Sequence, residues 1–263
     1  MKKIFFVLIG LYSLLLMSGC ATTSNSPLPY QGESAKYIYA VGHDQVKNGY
    51  YFDAINTFRS LSSQYPLQKY TELGNLDLIY SYYQNGQSEM SLAVASQFIR
   101  MYPSSEHLGY VYYMMGVIDF DNGRGLLQRR LPYDMDQHDP TSYKHAFVEF
   151  KHAILINPKA NYVSDAKRRM TYINNTIGKY EYNIAKFYFD HDAYVAAINR
   201  ANNVINKYSE TTAVEKSLVL IIKSYNMLKM PKLAQQYIDT LKLNYPDSAY
   251  LKILSGDAST TIS

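Results

Sequence analysis

Residues 38–66 read IYAVGHDQVKNGYYFDAINTFRSLSSQYP, and this stretch contains the pattern on which the fold depends. A small residue, Ala54, stands eleven positions before the pair Tyr65-Pro66. The same spacing recurs along the chain before Tyr-Pro pairs and their degenerate copies. The small residues are Ala54, Ser91, Ala146, Ala197 and Ala234. A small side chain at one fixed place in a repeat indicates that two helices cross closely there.

The segments between these markers have helical periodicity rather than the alternation of strands. Prolines fall where a helix has to stop, because the residue before a proline is pushed out of helical geometry. Asn48-Gly49 and Asn85-Gly86 are typical of helix C-terminal caps. The sequence therefore predicts ten helices in five pairs and no strands.

The first unit resembles the tetratricopeptide repeat (TPR), with Ile38-x2-Val41-Gly42 followed by Ala54-x3-Phe58 and Pro66. This resemblance predicts an all-α, right-handed superhelical solenoid of five TPR helix pairs. Units one to three are expected over 33–158, with an insertion at 122–139 between the two helices of unit three. Units four and five are expected over 159–246, and a C-terminal tail over 247–263.

A heptad stripe of apolar residues runs without interruption through the start of unit four. Its members are Val163, Ala166, Met170, Ile173, Ile177, Tyr180, Ile184 and Phe187. No proline lies among them, so we expect one long helix over about residues 162–190. Such a helix is a stiff strut that links units one to three with units four and five. Gly178 inside it predicts a close contact, because glycine is unfavourable in a helix interior.

The N-terminus has the layout of a secretory signal peptide. Lys2 and Lys3 precede a short apolar run, which is followed by Ser18, Gly19 and the only cysteine of the chain, Cys20. The stretch from Leu16 to Cys20 resembles the bacterial lipobox, which implies cleavage after residue 19 and lipidation of Cys20. The alternative is an ordinary signal peptide with an incidental cysteine.

Residues 20–32 are rich in Thr, Ser, Asn and Pro, and this composition predicts a flexible tether. The lipobox resemblance implies that the tether carries lipid on Cys20. Ala21 and Thr22, not Asp, directly follow Cys20, and by resemblance to Gram-negative lipoprotein sorting this implies the outer membrane. We therefore expect a lipid-anchored protein at its periplasmic face.

Composition narrows the function classes. The 26 Lys and Arg against 22 Asp and Glu leave a net charge of +4, which argues against a nucleic-acid partner. A single cysteine excludes a disulfide framework and a cysteine-cluster metal site. Ser164-x-x-Lys167 has the form of a catalytic motif, but it lies on the polar face of a helix and lacks companion motifs. We expect no catalytic residue, no metal and no cofactor, and hence no enzyme.

A binding function remains, and the TPR solenoid indicates where the binding surface lies. TPR stacks expose their first helices on the concave side. Carried onto this chain by the resemblance, the groove-facing places hold mostly tyrosine, which suits an extended aromatic peptide. The alternative is that these tyrosines only pack between repeats. We call this set the groove residues: Tyr39, His43, Leu76, Tyr80, Tyr83, Tyr110 and Tyr113.

Several segments resemble the BamD family of outer-membrane assembly lipoproteins. They are 179–185 (KYEYNIA), 196–200 (AAINR), and Asp139-Pro140 leading into Ala146-Phe147. The resemblance implies a non-enzymatic subunit of the β-barrel assembly machinery, whose N-terminal repeats receive unfolded barrel substrates. It also implies docking to the POTRA domain of BamA, with Arg200 as the main contact and Asn199, Glu181 and Asp139 as further ones. An extended segment of BamC is a further implied partner.

Two other classes remain open from the sequence. One is a different outer-membrane TPR lipoprotein, such as a secretin pilotin. The other is a peptidoglycan-bound structural protein.

Overall fold

A computed structural model describes residues 29–128 and 140–254. The lipobox cysteine Cys20 and the predicted contact Asp139 lie outside these residues. Regular structure within the two described ranges is helical throughout. The helices are α1 (Ala35–Lys47), α2 (Tyr51–Gln64), α3 (Lys69–Gln84), α4 (Ser88–Met101), α5 (Leu108–Gln128), α6 (Thr141–Ile156), α7 (Val163–Asp190), α8 (Tyr194–Lys207), α9 (Ala213–Met227), α10 (Pro231–Asn244) and α11 (Ala249–Leu254).

Each helix packs against the next one along the chain, and the first helix of each unit also packs against the first helix of the next unit. The side-by-side row of first helices is α1, α3, α5, α7 and α9. This nearest-neighbour pattern is that of a solenoid, in which every repeat contacts only its neighbours. The predicted all-α TPR solenoid is confirmed.

The C-terminal ends of α1 and α3 follow the predicted cap chemistry. Asn48 is the C-cap of α1 and Asn85 is the C-cap of α3. Gly49 and Gly86 follow them with φ angles of +78° and +75°, in the left-handed region that favours glycine. These turns are short, so in units one and two the second helix folds back onto the first.

Close crossing of the two helices in a unit depends on residues without a side chain. A Cβ atom added to Gly42 of α1 would lie 2.6 Å from the ring of Phe58 on α2. In unit three, a Cβ on Gly116 of α5 would lie 2.7 Å from the ring of Phe150 on α6. Both phenylalanines are fully buried. All five of the small residues spaced before the Tyr-Pro markers are also buried, which confirms the predicted close packing.

The long helix α7 spans 28 residues, or about 42 Å by helical rise. Its N-terminal part packs Ile173 and Ile177 into the cluster around Phe150 of unit three. Its C-terminal part places Ala185 in the cluster shared by units four and five. Between them, a Cβ on Gly178 would lie 2.8 Å from Thr211 Oγ1, which confirms the close contact expected there.

Two features differ from the sequence expectation. The segment assigned to an insertion begins as helix, because α5 continues through Asn122 to Gln128. Gly123 within it lets the ring of Tyr143 approach, since an added Cβ would lie 2.9 Å from that ring.

The segment assigned to a C-terminal tail contains the helix α11. Its Tyr250 packs against the last core cluster, and Lys223 Nζ lies over the Tyr250 ring, 5.6 Å from the centroid.

The Gly42–Phe58 crossing generates a stability prediction. Gly42→Val should lower the free energy of unfolding by about 2 kcal/mol, because Phe58 is enclosed and cannot yield to the added carbons. The matched control Ala40→Val adds carbons to an exposed position of the same helix and should cost only about 0.5 kcal/mol in helix propensity. Urea denaturation followed by circular dichroism measures both. Equal losses in the two variants would contradict the close crossing.

Candidate functional site

The groove residues lie together on the first helices of units one to three. Tyr39 and His43 are on α1, Leu76, Tyr80 and Tyr83 on α3, and Tyr110 and Tyr113 on α5. All are partly buried, so each combines packing with some exposed surface. Because α1, α3 and α5 are neighbours in the row of first helices, the groove residues lie on adjacent helices.

At the α1 end, the surface is a stack of rings fixed by an acid. The Tyr39 and His43 rings stack at 5.5 Å, and Tyr70 tilts onto Tyr39 at 5.7 Å. His43 Nδ1 lies 2.8 Å from Asp77 Oδ2 on α3. Burial raises the pKa of Asp77, while the hydrogen bond to His43 and the charges of His43 and Lys47 oppose that rise. Sequence reasoning missed Asp77, because its partner is 34 residues away.

In the middle of the surface, tyrosines of α3 and α5 approach one another. Tyr80 packs edge-on against Tyr51 with ring centroids 6.0 Å apart. Burial raises the pKa of Tyr110, and the nearby Asp77 and Tyr80 add to the rise. Because its pKa is raised, the Tyr110 hydroxyl stays protonated at neutral pH. The ring centroids of Tyr110 and Tyr113 are 6.5 Å apart.

Two tyrosine hydroxyls are already used inside the protein. Tyr83 donates to Asp121 Oδ2 at 2.5 Å, and Tyr113 donates to Asp165 Oδ2 at 3.0 Å. Burial, together with Asp165, raises the pKa of Tyr113 to about 12. These hydroxyls are donors to internal acids, so the rings of Tyr83 and Tyr113 have fixed orientations. Tyr83 and Tyr113 therefore both have packing roles between repeats, and peptide binding on the groove residues stays a prediction.

Beyond Tyr113 the surface continues onto α7. The ring of Tyr113 stacks on Tyr162 at 4.8 Å, and Asp165 also binds Arg168 and Arg169. Burial acts to raise the pKa of Asp165, but the hydrogen bond and charge of Arg169, with Tyr113 and Arg168, hold that pKa below its usual range.

A cavity of about 310 Å³ opens beside this ion pair. Its lining residues are Phe120, Asp165, Arg168, Arg169 and Tyr172. Sequence reasoning did not single these residues out. The available signal was an acid followed by two arginines at positions three and four on, which share a helix face with it.

Three of the predicted BamA contacts lie within the described residues: Glu181 on α7, and Asn199 and Arg200 on α8. Arg200 has 46% of its side chain exposed, and its Nη1 lies 3.4 Å from Glu181 Oε2. Glu181 is nearly buried beneath it, with 10% of its side chain exposed, whereas Asn199 is exposed. Glu181 therefore contacts Arg200 within the protein, and its contact with BamA stays a prediction.

Within 29–128 and 140–254, no helix is both long enough and apolar enough to span a membrane.

Comparison with known proteins identifies the family. The family model for YfiO, described as an outer membrane lipoprotein, matches residues 31–242. The outer membrane protein assembly factor BamD of Neisseria meningitidis serogroup B is 30% identical over 256 residues, which covers 96% of this chain and 94% of that protein. BamD of Vibrio cholerae serotype O1 is 32% identical over 237 residues, which covers 90% and 97%.

Among solved structures, the MamA protein superposes with a TM-score of 0.41 at 13% identity, covering 87% of this chain and 97% of that one. That likeness is too distant to carry an argument, so the assignment depends on the sequence matches. The matches to the family model and to the two BamD proteins extend over most of each chain. This chain therefore belongs to the BamD (YfiO) family of outer membrane lipoproteins.

Proposed function

We propose that this chain is a non-enzymatic scaffold of the machinery that assembles β-barrels in the outer membrane. It binds unfolded barrel substrates on the groove residues and BamA through unit four. The observation that carries the proposal is the chain of contacts that links Tyr39 and His43 of α1, through Asp77 of α3, to Tyr110 and Tyr113 of α5. Its BamD relatives bear the name of outer membrane protein assembly factors, which favours this function over a secretin pilotin or a peptidoglycan-bound protein.

Tyrosine suits the capture of an unfolded barrel segment. Its ring offers a large apolar area with few rotatable bonds, so little side-chain entropy is lost on binding. Transmembrane barrel strands alternate apolar and polar residues and end in aromatic girdles. The rings at Tyr39, Tyr80 and Tyr110 supply apolar contacts, while the carboxylate of Asp77, near Tyr39 and Tyr110, receives polar groups. The substrate is bound as an extended peptide by side-chain contacts.

BamA binding is assigned to Arg200 and the neighbouring Asn199 on α8. The carboxylate of Glu181 fixes the Arg200 guanidinium, which leaves about half of that side chain exposed to a partner. Asp139 remains a further predicted contact from the sequence resemblance. The helix α7 sets the distance between the groove and Arg200, so a bound substrate is presented beside BamA. BamC is a further proposed partner, through an extended segment.

Attachment to the membrane is assigned to lipid on Cys20. Several acyl chains contribute about 0.8 kcal/mol per buried methylene and together make a lasting anchor. Residues 20–32 would then connect the lipid to the solenoid at the periplasmic face of the outer membrane.

Loss of groove tyrosines should weaken substrate binding. Tyr80→Ala combined with Tyr83→Ala should raise the dissociation constant for a barrel-derived peptide with a C-terminal aromatic residue about tenfold, because aromatic anchors dominate such surfaces. Fluorescence anisotropy of a labelled peptide measures the change. The control Tyr50→Ala with Phe52→Ala removes two exposed aromatic rings near the start of α2 and should leave affinity unchanged. The groove assignment fails if both variants bind alike.

Removal of the Arg200 charge should release BamA. Arg200→Gln should reduce the BamA that co-purifies from detergent-solubilised envelopes about fivefold, because an interface arginine with a fixed guanidinium is a typical hot spot. Lys207→Gln removes one exposed positive charge from the end of the same helix and should have no effect. Unchanged recovery of BamA with the Arg200 variant would contradict the assignment of Arg200 as a BamA contact.

Replacement of the lipobox cysteine tests the anchor. Cys20→Ser should abolish labelling by radioactive palmitate and shift the protein from the membrane pellet to the soluble fraction, because no acyl chain remains. The control Ser24→Ala lies in the same tether and keeps the thiol. Undiminished labelling of the Cys20 variant would exclude lipidation at this residue.

A further inference from the structure

We propose that the cavity between α5 and α7 receives the C-terminal carboxylate of the peptide bound on the groove residues. This inference rests on the proposed substrate binding and adds a direction to it. The peptide C-terminus lies over α7, and the preceding residues run across α5 and α3 toward α1. The residues that line the cavity are Phe120, Asp165, Arg168, Arg169 and Tyr172.

The charges around the cavity leave a net positive site. Two guanidinium groups, of Arg168 and Arg169, face the single carboxylate of Asp165. That carboxylate also accepts the Tyr113 hydroxyl, so its oxygens are engaged within the protein. The bond of Arg169 to Asp165 uses Nε at 2.6 Å, and the fork of N–H donors on the Nη nitrogens has the geometry that binds a carboxylate in two-point fashion.

Arg169 is held in place before any ligand binds. Its Cζ atom lies 4.9 Å from the centroid of the Phe120 ring, over the face of that ring. Only 26% of the Arg169 side chain is exposed, against 75% for Arg168. A guanidinium that is fixed by an acid and a ring loses little entropy on binding an anion. Arg169 is therefore the principal carboxylate ligand, and Arg168 adds charge.

Charge elsewhere on the surface gives the direction. Asp77 lies beside His43 and near Tyr110, and Asp121 accepts the hydroxyl of Tyr83. A peptide carboxylate placed over α3 would be repelled by these acids. At α7 the same carboxylate meets two arginines. Electrostatic complementarity of this kind fixes the register and orientation of a bound chain.

The aromatic wall of the cavity suits the last side chain of the peptide. Phe120 and Tyr172 meet edge-on with centroids 5.5 Å apart, and 45% of Tyr172 is exposed. A volume of about 310 Å³ is at the small end for ligand sites and fits one terminal residue rather than a longer segment. A C-terminal aromatic ring would pack on this wall while its carboxylate meets Arg169.

Two peptides of identical sequence test the proposal. Both are labelled at the N-terminus and end in phenylalanine, one with a free carboxylate and one with a C-terminal amide. Titrated by fluorescence anisotropy into the full chain in detergent, the amide should bind about tenfold more weakly, because it loses a charge-assisted hydrogen-bond pair. In Arg168→Gln combined with Arg169→Gln, the two peptides should bind within twofold of each other.

Matched variants separate this site from general charge. Lys151→Gln combined with Lys167→Gln removes the same charge from exposed positions of α6 and α7 and should keep the tenfold difference. Arg168→Gln alone, at a largely exposed position that should not affect folding, should reduce the difference to about threefold. The carboxylate site is overturned if amidation has no effect on the unaltered chain, or an equal effect in the double arginine variant. The groove assignment is tested separately in the same titrations. It stands if both peptides bind the unaltered chain and bind more weakly to the variant that combines Tyr80→Ala with Tyr83→Ala.

Discussion

The close crossing of the two helices within a unit is the constraint on which the other features depend. At Gly42 and Gly116 there is no room for a Cβ atom, because the rings of Phe58 and Phe150 fill that space. This approach fixes how the second helix lies on the first, and stacking of such pairs brings the first helices into one row. Only because α1, α3 and α5 are neighbours do tyrosines far apart in sequence form one surface.

Acids between the tyrosines give this surface its rigidity. His43 is tied to Asp77, Tyr83 to Asp121 and Tyr113 to Asp165, and each pair joins two different units. Because burial and the neighbouring acid keep the Tyr113 hydroxyl protonated, it remains a donor throughout the neutral range. A surface whose rings are fixed in advance loses less entropy on binding an extended peptide. The same bonds therefore stabilise the stack and prepare the site.

The sequence predicts the local features of this fold and misses the cross-unit partners. The spacing of small residues, the Asn-Gly caps and the long helix α7 are local patterns, and the structure has all three. Only the end of the apolar stripe of α7 differs, because its last member, Phe187, is exposed. The pairing of Tyr113 with Asp165 joins residues 52 apart. No periodicity specifies such a pair, because it depends on how α7 lies beside α5. Burial of Glu181 beneath Arg200 is likewise a result of tertiary packing.

The central claim is that unfolded barrel chains bind along the first helices, and photo-crosslinking in cells tests it most directly. A benzoylphenylalanine residue at position 80 replaces a partly buried groove tyrosine, and one at position 50 replaces an exposed tyrosine outside the groove. Irradiation during barrel synthesis should give substrate adducts at position 80 and few at position 50. Equal yields at the two positions, or adducts at position 50 alone, would contradict the account.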